Sequence, residues 1–160
     1  MNTLKIICAA TIIAMAPATA WAGTIINVKL ADKADGMDMS KMMGMGMGMH
    51  GDMKMAPMSI LVSNKFAVTG KVTFNVTNQS KTMIHEMLVA PIKDEKTELA
   101  YVKTENRVDE GKAADLGEVS ELDPGKSGTV TLDMKPGKYI LYCNIPGHYA
   151  MGMWTILEVK

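Results

Sequence analysis

Three side chains of different chemistry fall close together near the end of the chain. They are the thiol of Cys143, the imidazole of His148 and the thioether of Met153, in a run that reads Cys143-Asn144-Ile145-Pro146-Gly147-His148-Tyr149-Ala150-Met151-Gly152-Met153. Upstream, His85 can supply a fourth donor. Thiolate and thioether are soft donors that favour Cu(I), and imidazole suits both copper oxidation states. Two imidazoles, one thiolate and a long axial thioether form the trigonal set of a blue-copper electron-transfer site. Such a set can hold copper through a one-electron cycle with little rearrangement. Gly147 lets the backbone turn between the donors, and Pro146 fixes φ just before it. Pro146 also removes one backbone N–H near the sulfur, which changes the electron density of a metal thiolate.

Other chemistries fit these residues less well. A lone buried Cys usually behaves as a small hydrophobe, but the Cys-x4-His-x4-Met run with an upstream His is a set rather than a lone residue. Zinc prefers several Cys or His ligands at closed tetrahedral spacing, and the chain has no C-x2-C pair. Cys143 and His148 could formally be a nucleophile and its base. They share one loop with Met153, however, and no oxyanion donor or orienting carboxylate is evident. No dinucleotide fingerprint, phosphate loop or nucleophile elbow occurs, so the chain is not expected to be an enzyme.

The C-x-x-P-G-H and H-x4-M spacings resemble those of the cupredoxins, in particular members of the rusticyanin and auracyanin type. The resemblance covers roughly Thr24 to Lys160. It implies a Greek-key β-sandwich and one type 1 copper held by His85, Cys143, His148 and Met153. Met153 rather than Met151 is implied as the axial ligand, with Gly152 giving the turn. One residue departs from the pattern. Many cupredoxins carry Asn or Ser just after the first His, where it helps tie the ligand loops together. Here Glu86 stands in that place, and an ionised carboxylate cannot donate a hydrogen bond.

The chain opens like a secretory signal. Lys5 precedes an apolar run from Ile6 to Ala16, and Ala20-Trp21-Ala22 is an A-x-A-like cleavage site. The run is shorter than the roughly 20 residues of a membrane span, and no small-residue box ends at Cys8, so neither a membrane nor a lipid anchor is expected. Residues 1–22 are read as the signal, residues 23–160 as one domain, and the periplasm as the location. Cys143 is then the one cysteine left, and ligation to a metal would account for an unpaired thiol in an exported protein. The formal net charge of zero gives no case for nucleic acid or an anionic membrane as partner.

The elements that must position the donors read as short strands. Thr24–Leu30 alternates, as do Val72, Phe74 and Val76 within residues 71–78, and Val130, Leu132 and Met134. Residues 58–63, 83–90, 139–143 and 154–159 are further strands, and residues 97–114 are polar, with a strand near residues 99–102 and a short helical part. Asp123-Pro124-Gly125 and Lys135-Pro136-Gly137 mark turns. Short strands between Pro/Gly turns indicate an all-β sandwich.

Residues 31–57 form a Met-rich insertion, with ten methionines between Met37 and Met58 counted inclusively. Its glycine alternation disfavours helix and strand, which predicts a mobile loop. Met42, Met43, Met45, Met47, Met49 and His50 are candidate secondary Cu(I) donors. A flexible apolar surface for a partner, or low-complexity filler, is the competing reading. In cupredoxins the connection between the first two strands lies at the copper end, so the resemblance places this loop near the site. The expected function is copper tolerance through periplasmic copper capture. The alternative is a soluble electron shuttle between respiratory or oxidase partners, with a redox protein as the partner. Cuprous oxidase chemistry is a third reading, but a single copper lacks the capacity to reduce O2 to water.

Overall fold

The computed structural model describes residues 23–33 and 42–160. The expected signal segment, with Cys8 and the expected cleavage site, lies outside these residues, as do Met37 and Met39. β1 (Thr24–Asp32), β2 (Met58–Val62), β4 (Gly70–Asn78) and β9 (Ser127–Met134) form one sheet, in the order β2-β1-β4-β9. β3 (Phe66–Ala67), β5 (His85–Ile92), β8 (Gly117–Leu122), β10 (Gly137–Tyr142) and β11 (Trp154–Val159) form the second, in the order β3-β11-β10-β5-β8. A small hairpin, β6 (Tyr101–Val102) with β7 (Arg107–Val108), and the short helix α1 (Glu110–Ala113) stand outside both sheets. The chain is the expected all-β Greek-key sandwich.

Period-2 alternation builds the space between the sheets. Ile26, Val28 and Leu30 of β1, Val72, Phe74 and Val76 of β4, and Leu132 and Met134 of β9 face Met87, Val89, Leu141, Leu157 and Val159 of the second sheet. β1 runs two residues past the expected end at Leu30. Ala31 and Asp32 therefore belong to the sheet and not to the insertion, because β2 pairs with them through Ala31↔Ser59 and Asp32↔Met58. β3, β7 and β8 carry no clear alternation in the sequence. β8 is an edge strand paired only to β5, and Val119 is its one buried residue.

The two central strands of the second sheet, β5 and β10, are buried on both faces. His85 to Ala90 are all buried, and so are Tyr139 to Tyr142. On the outer face, Leu88, Ala90, Ile140 and Tyr142 pack against Met47, Val108, Ala113 and Tyr149. Near-continuous apolar runs are what two-sided burial asks of a strand.

Part of that roof is the Met-rich segment, and this corrects the expectation of a mobile loop for residues 42–57. The segment has no strand and only one 3-10 turn, Met53–Met55, yet it is fastened to the domain. The Met45 amide donates to the Ala150 carbonyl at 2.7 Å, Trp154 Nε1 donates to the Met45 carbonyl at 2.7 Å, and the Tyr149 hydroxyl donates to the Met47 carbonyl at 3.3 Å. The glycines serve close approach: a Cβ on Gly46 would lie 2.5 Å from the Tyr149 ring. Met47 is 0% exposed and Met55 is 60% exposed. Met47→Ala should therefore cost about 2–5 kcal/mol by denaturant unfolding of the copper-free protein, whereas Met55→Ala should stay within about 0.5 kcal/mol. Equal, negligible effects would mean that the segment is not held in this packing.

Candidate metal centre

The donors lie at one end of the sandwich, on the inner face of the second sheet. His85 opens β5, and Cys143 follows the last residue of β10, its hydrogen-bonded neighbour. Alternation aims both inward, His85 in step with Met87 and Val89, and Cys143 in step with Tyr139 and Leu141. The register shift between His85 and Met87, where β5 pairs with β8, places the extra residue on β8, so His85 keeps its step with Met87. His148 comes from the loop joining β10 to β11. That loop is drawn tight by bonds from the His148 amide to the Ile145 carbonyl and from the Met151 and Met153 amides to the His148 carbonyl.

Nδ1 of His85 and Nδ1 of His148 are 3.1 Å apart. Sγ of Cys143 is 3.4 Å from His148 Nδ1, and the three ligand atoms lie within 4.8 Å of one another. A first-row ion that bonds nitrogen at about 2.0 Å and sulfur at about 2.3 Å requires donor separations of about 3.1–3.7 Å, and the two separations made by His148 Nδ1 fall in that range. All three residues are buried. Among the described residues this is the one His/Cys/Asp/Glu group of this kind.

Met153 and Met151 are both buried in the same core. Met153 sits opposite Cys143, beyond the last ladder pair Tyr142↔Trp154, and its carbonyl accepts the Cys143 amide at 3.1 Å. Met151 lies in the 3-10 turn Tyr149–Met151, with its methyl against Gly147. Gly152 has φ +89°, the left-handed turn expected of it.

Glu86 ties the ligand strands after all, with the polarity reversed. Its backbone amide donates to Cys143 Sγ at 3.5 Å, and its carboxylate accepts the Asn144 amide at 3.0 Å. Asn144 is itself held: its side chain accepts from the Val108 amide at 2.7 Å and donates to the Val108 carbonyl and to Glu110. A carboxylate does by accepting what Asn or Ser does by donating. Burial first, then the nearby Glu118 and Glu121, push the Glu86 carboxyl up to about 7 against the pull of the Asn144 N–H.

Asp32 is the site residue that the sequence did not reveal. Its Oδ2 is 3.1 Å from His85 Nε2. The available signal was parity: Asp32 continues the inward series Ile26, Val28, Leu30. Burial holds the His85 imidazole below its ordinary pKa, partly offset by its hydrogen bond to Asp32 and by the Asp32 charge. His148 is lowered to about 4 by burial and then by His85. Burial pushes the Cys143 thiol up to about 12, against the N–H groups of Glu86 and Ile145.

The secondary donors are placed unevenly. Met45 and Met47 are buried and Met42 packs against the main core. Met49 packs against the outer-face cluster, while Met43 and His50 are exposed. The thioethers of Met45 and Met47 are committed to packing.

The sequence profile of the copper binding proteins, plastocyanin/azurin family, matches residues 42–160. The chain belongs to that family and is a cupredoxin. A comparison with curated proteins found no match. Among solved structures, reduced auracyanin from the photosynthetic bacterium Roseiflexus castenholzii is similar at 21% identity, covering 87% of this chain and 98% of its own, with a TM-score of 0.52. Rusticyanin from Thiobacillus ferrooxidans is similar at 19% identity, covering 88% and 80%, with a TM-score of 0.52. Auracyanin B is similar at 20% identity, covering 86% and 88%, with a TM-score of 0.53. These likenesses concern the fold. Among the described residues no helix is long and apolar enough to cross a membrane.

Both imidazoles are poised to bind a metal without losing a charge-bearing proton, but the thiol must lose its own. Anaerobic loading with Cu(I) at pH 7 should release about one proton per ion, the count expected for a thiol near 12. Cys143→Ser should release none on binding. Release measured with an indicator dye checks this, and no release from the wild type would exclude thiolate ligation.

Proposed function

We propose that the protein is an exported, periplasmic cupredoxin of copper handling, in which a type 1 site works beside a surface of soft donors. His85, Cys143 and His148 would hold the copper in the plane, with Met153 as the axial ligand. When bound, copper supplies one-electron chemistry and an intense thiolate charge-transfer band. The buried donor set excludes water, and the ties at Glu86 and Asn144 keep the loop in one geometry through the redox cycle.

The observation that carries the copper-handling reading is the position of the Met-rich segment against the ligand loop. Beside the Met45 and Met47 contacts, Met53 reaches that loop: a Cβ on Gly152 would meet the Met53 thioether at 3.4–3.5 Å. Met43, Met53 and Met55 are 37%, 41% and 60% exposed, and His50 is exposed as well. Accessible thioethers and an imidazole are Cu(I) donors, and here some of them stand next to the redox site. A shuttle reading draws support from the family and the site alone. It requires a ligand edge open to a partner, and His148 is only 7% exposed.

Oxidised, copper-loaded protein should be strongly coloured, and Cys143→Ser should abolish the band. Met153→Leu should raise the reduction potential, because losing a donor destabilises Cu(II) more than Cu(I). Met151→Leu should change it little. A colourless wild type would sink the type 1 assignment, and a shift from Met151→Leu alone would move the axial role to that residue.

Deleting the whole segment would also strip the roof from the second sheet, so the copper-handling test uses the exposed donors only. A variant with Met43, Met53 and Met55 changed to Ser and His50 to Ala should keep the band but bind fewer Cu(I) per chain and protect cells less in excess copper. Unchanged Cu(I) stoichiometry and unchanged tolerance would restore the shuttle reading.

A further inference from the structure

Asp32 is a charged side chain aimed into the sandwich. Its inward parity follows from Ile26, Val28 and Leu30, and β2 pairing at Met58 holds its backbone in the ladder. The side chain is 8% exposed and that of His85 is 0% exposed. Burying a carboxylate is costly unless it is paired, and one contact it makes, at 3.1 Å, is to the far nitrogen of a candidate ligand. A carboxylate can only accept, so His85 Nε2 must carry the proton. The Nδ1 lone pair is thereby left facing Cys143 and His148. Partners of this kind on a ligating imidazole fix its tautomer and raise its basicity.

We propose that Asp32 is a positioning residue for the copper site: it locks His85 in the Nε2–H tautomer and biases bound copper toward Cu(II) by its negative charge. The second half rests on the copper reading given above. The first half does not.

Two variants separate hydrogen bond from charge. Asp32→Asn keeps an oxygen acceptor at the same place but removes the charge. Asp32→Leu removes both. In copper-free protein, nitrogen-15 correlation spectra should show His85 as the single Nε2–H form in wild type and Asp32→Asn, and as a tautomer mixture in Asp32→Leu. In copper-loaded Asp32→Asn the visible band should persist, and the preference for Cu(II) over Cu(I) should fall about tenfold, an upward shift of about 59 mV in potential. A wild-type potential in Asp32→Asn overturns the proposal. So does a retained single tautomer in Asp32→Leu. If Asp32→Leu does not fold, the potential of Asp32→Asn decides alone. If wild type binds no copper but the tautomer shifts as described, the copper reading fails and the lock on His85 stands.

Discussion

The bond from the Glu86 amide to the Cys143 sulfur is the constraint around which the rest of the site is arranged. It joins the start of β5 to the end of β10, the two strands that deliver the first imidazole and the thiol. The Glu86 carboxylate reinforces it by holding the Asn144 amide, and Asn144 passes the restraint on to β7 and α1. The ligand loop then has little freedom left. It must leave β10 at Cys143, turn at His148 and return at Met153, whose carbonyl closes the loop on the Cys143 amide. A metal that changes charge without changing its ligands needs such a frame, because donors that cannot move cannot reorganise.

The electrostatics of the frame are mixed. Burial keeps both imidazoles neutral and the free thiol protonated, so the pocket resists charge. Two carboxylates are nevertheless built into its walls, Asp32 on one sheet and Glu86 on the other, each held by a hydrogen bond from a neighbour. A buried carboxylate beside a cation site is stabilised when the cation is present. The arrangement therefore favours an occupied site over an empty one.

The Met-rich segment joins stability to chemistry. Its buried part covers the outer face of the second sheet, and Tyr149, within the ligand loop, and Trp154, just past it, are the residues it grips. Its exposed part leaves thioethers beside the same loop. The glycines that make the run look disordered in composition let its backbone lie against Tyr149 and the neighbouring chain.

The ligand run, the alternating strands and the Pro/Gly turns could be read from the sequence because each is local: donor spacing, period-2 burial and turn chemistry all act within a few residues. Cys143 and His148 were legible for that reason, and so was the turn at Gly152, whereas His85, far upstream, was joined to them only through the family resemblance. β3 and β8 were not, since β3 is two residues long and β8 buries only Val119, which leaves neither a pattern to read. The packing of Met47, the reversed tie at Glu86 and the carboxylate of Asp32 on His85 were decided only in three dimensions. Each joins residues far apart in the chain, Asp32 to His85, Glu86 to Asn144 and Met47 to Tyr149. Residue types state what a side chain can donate or accept, but only the packed sheets determine which partner it meets.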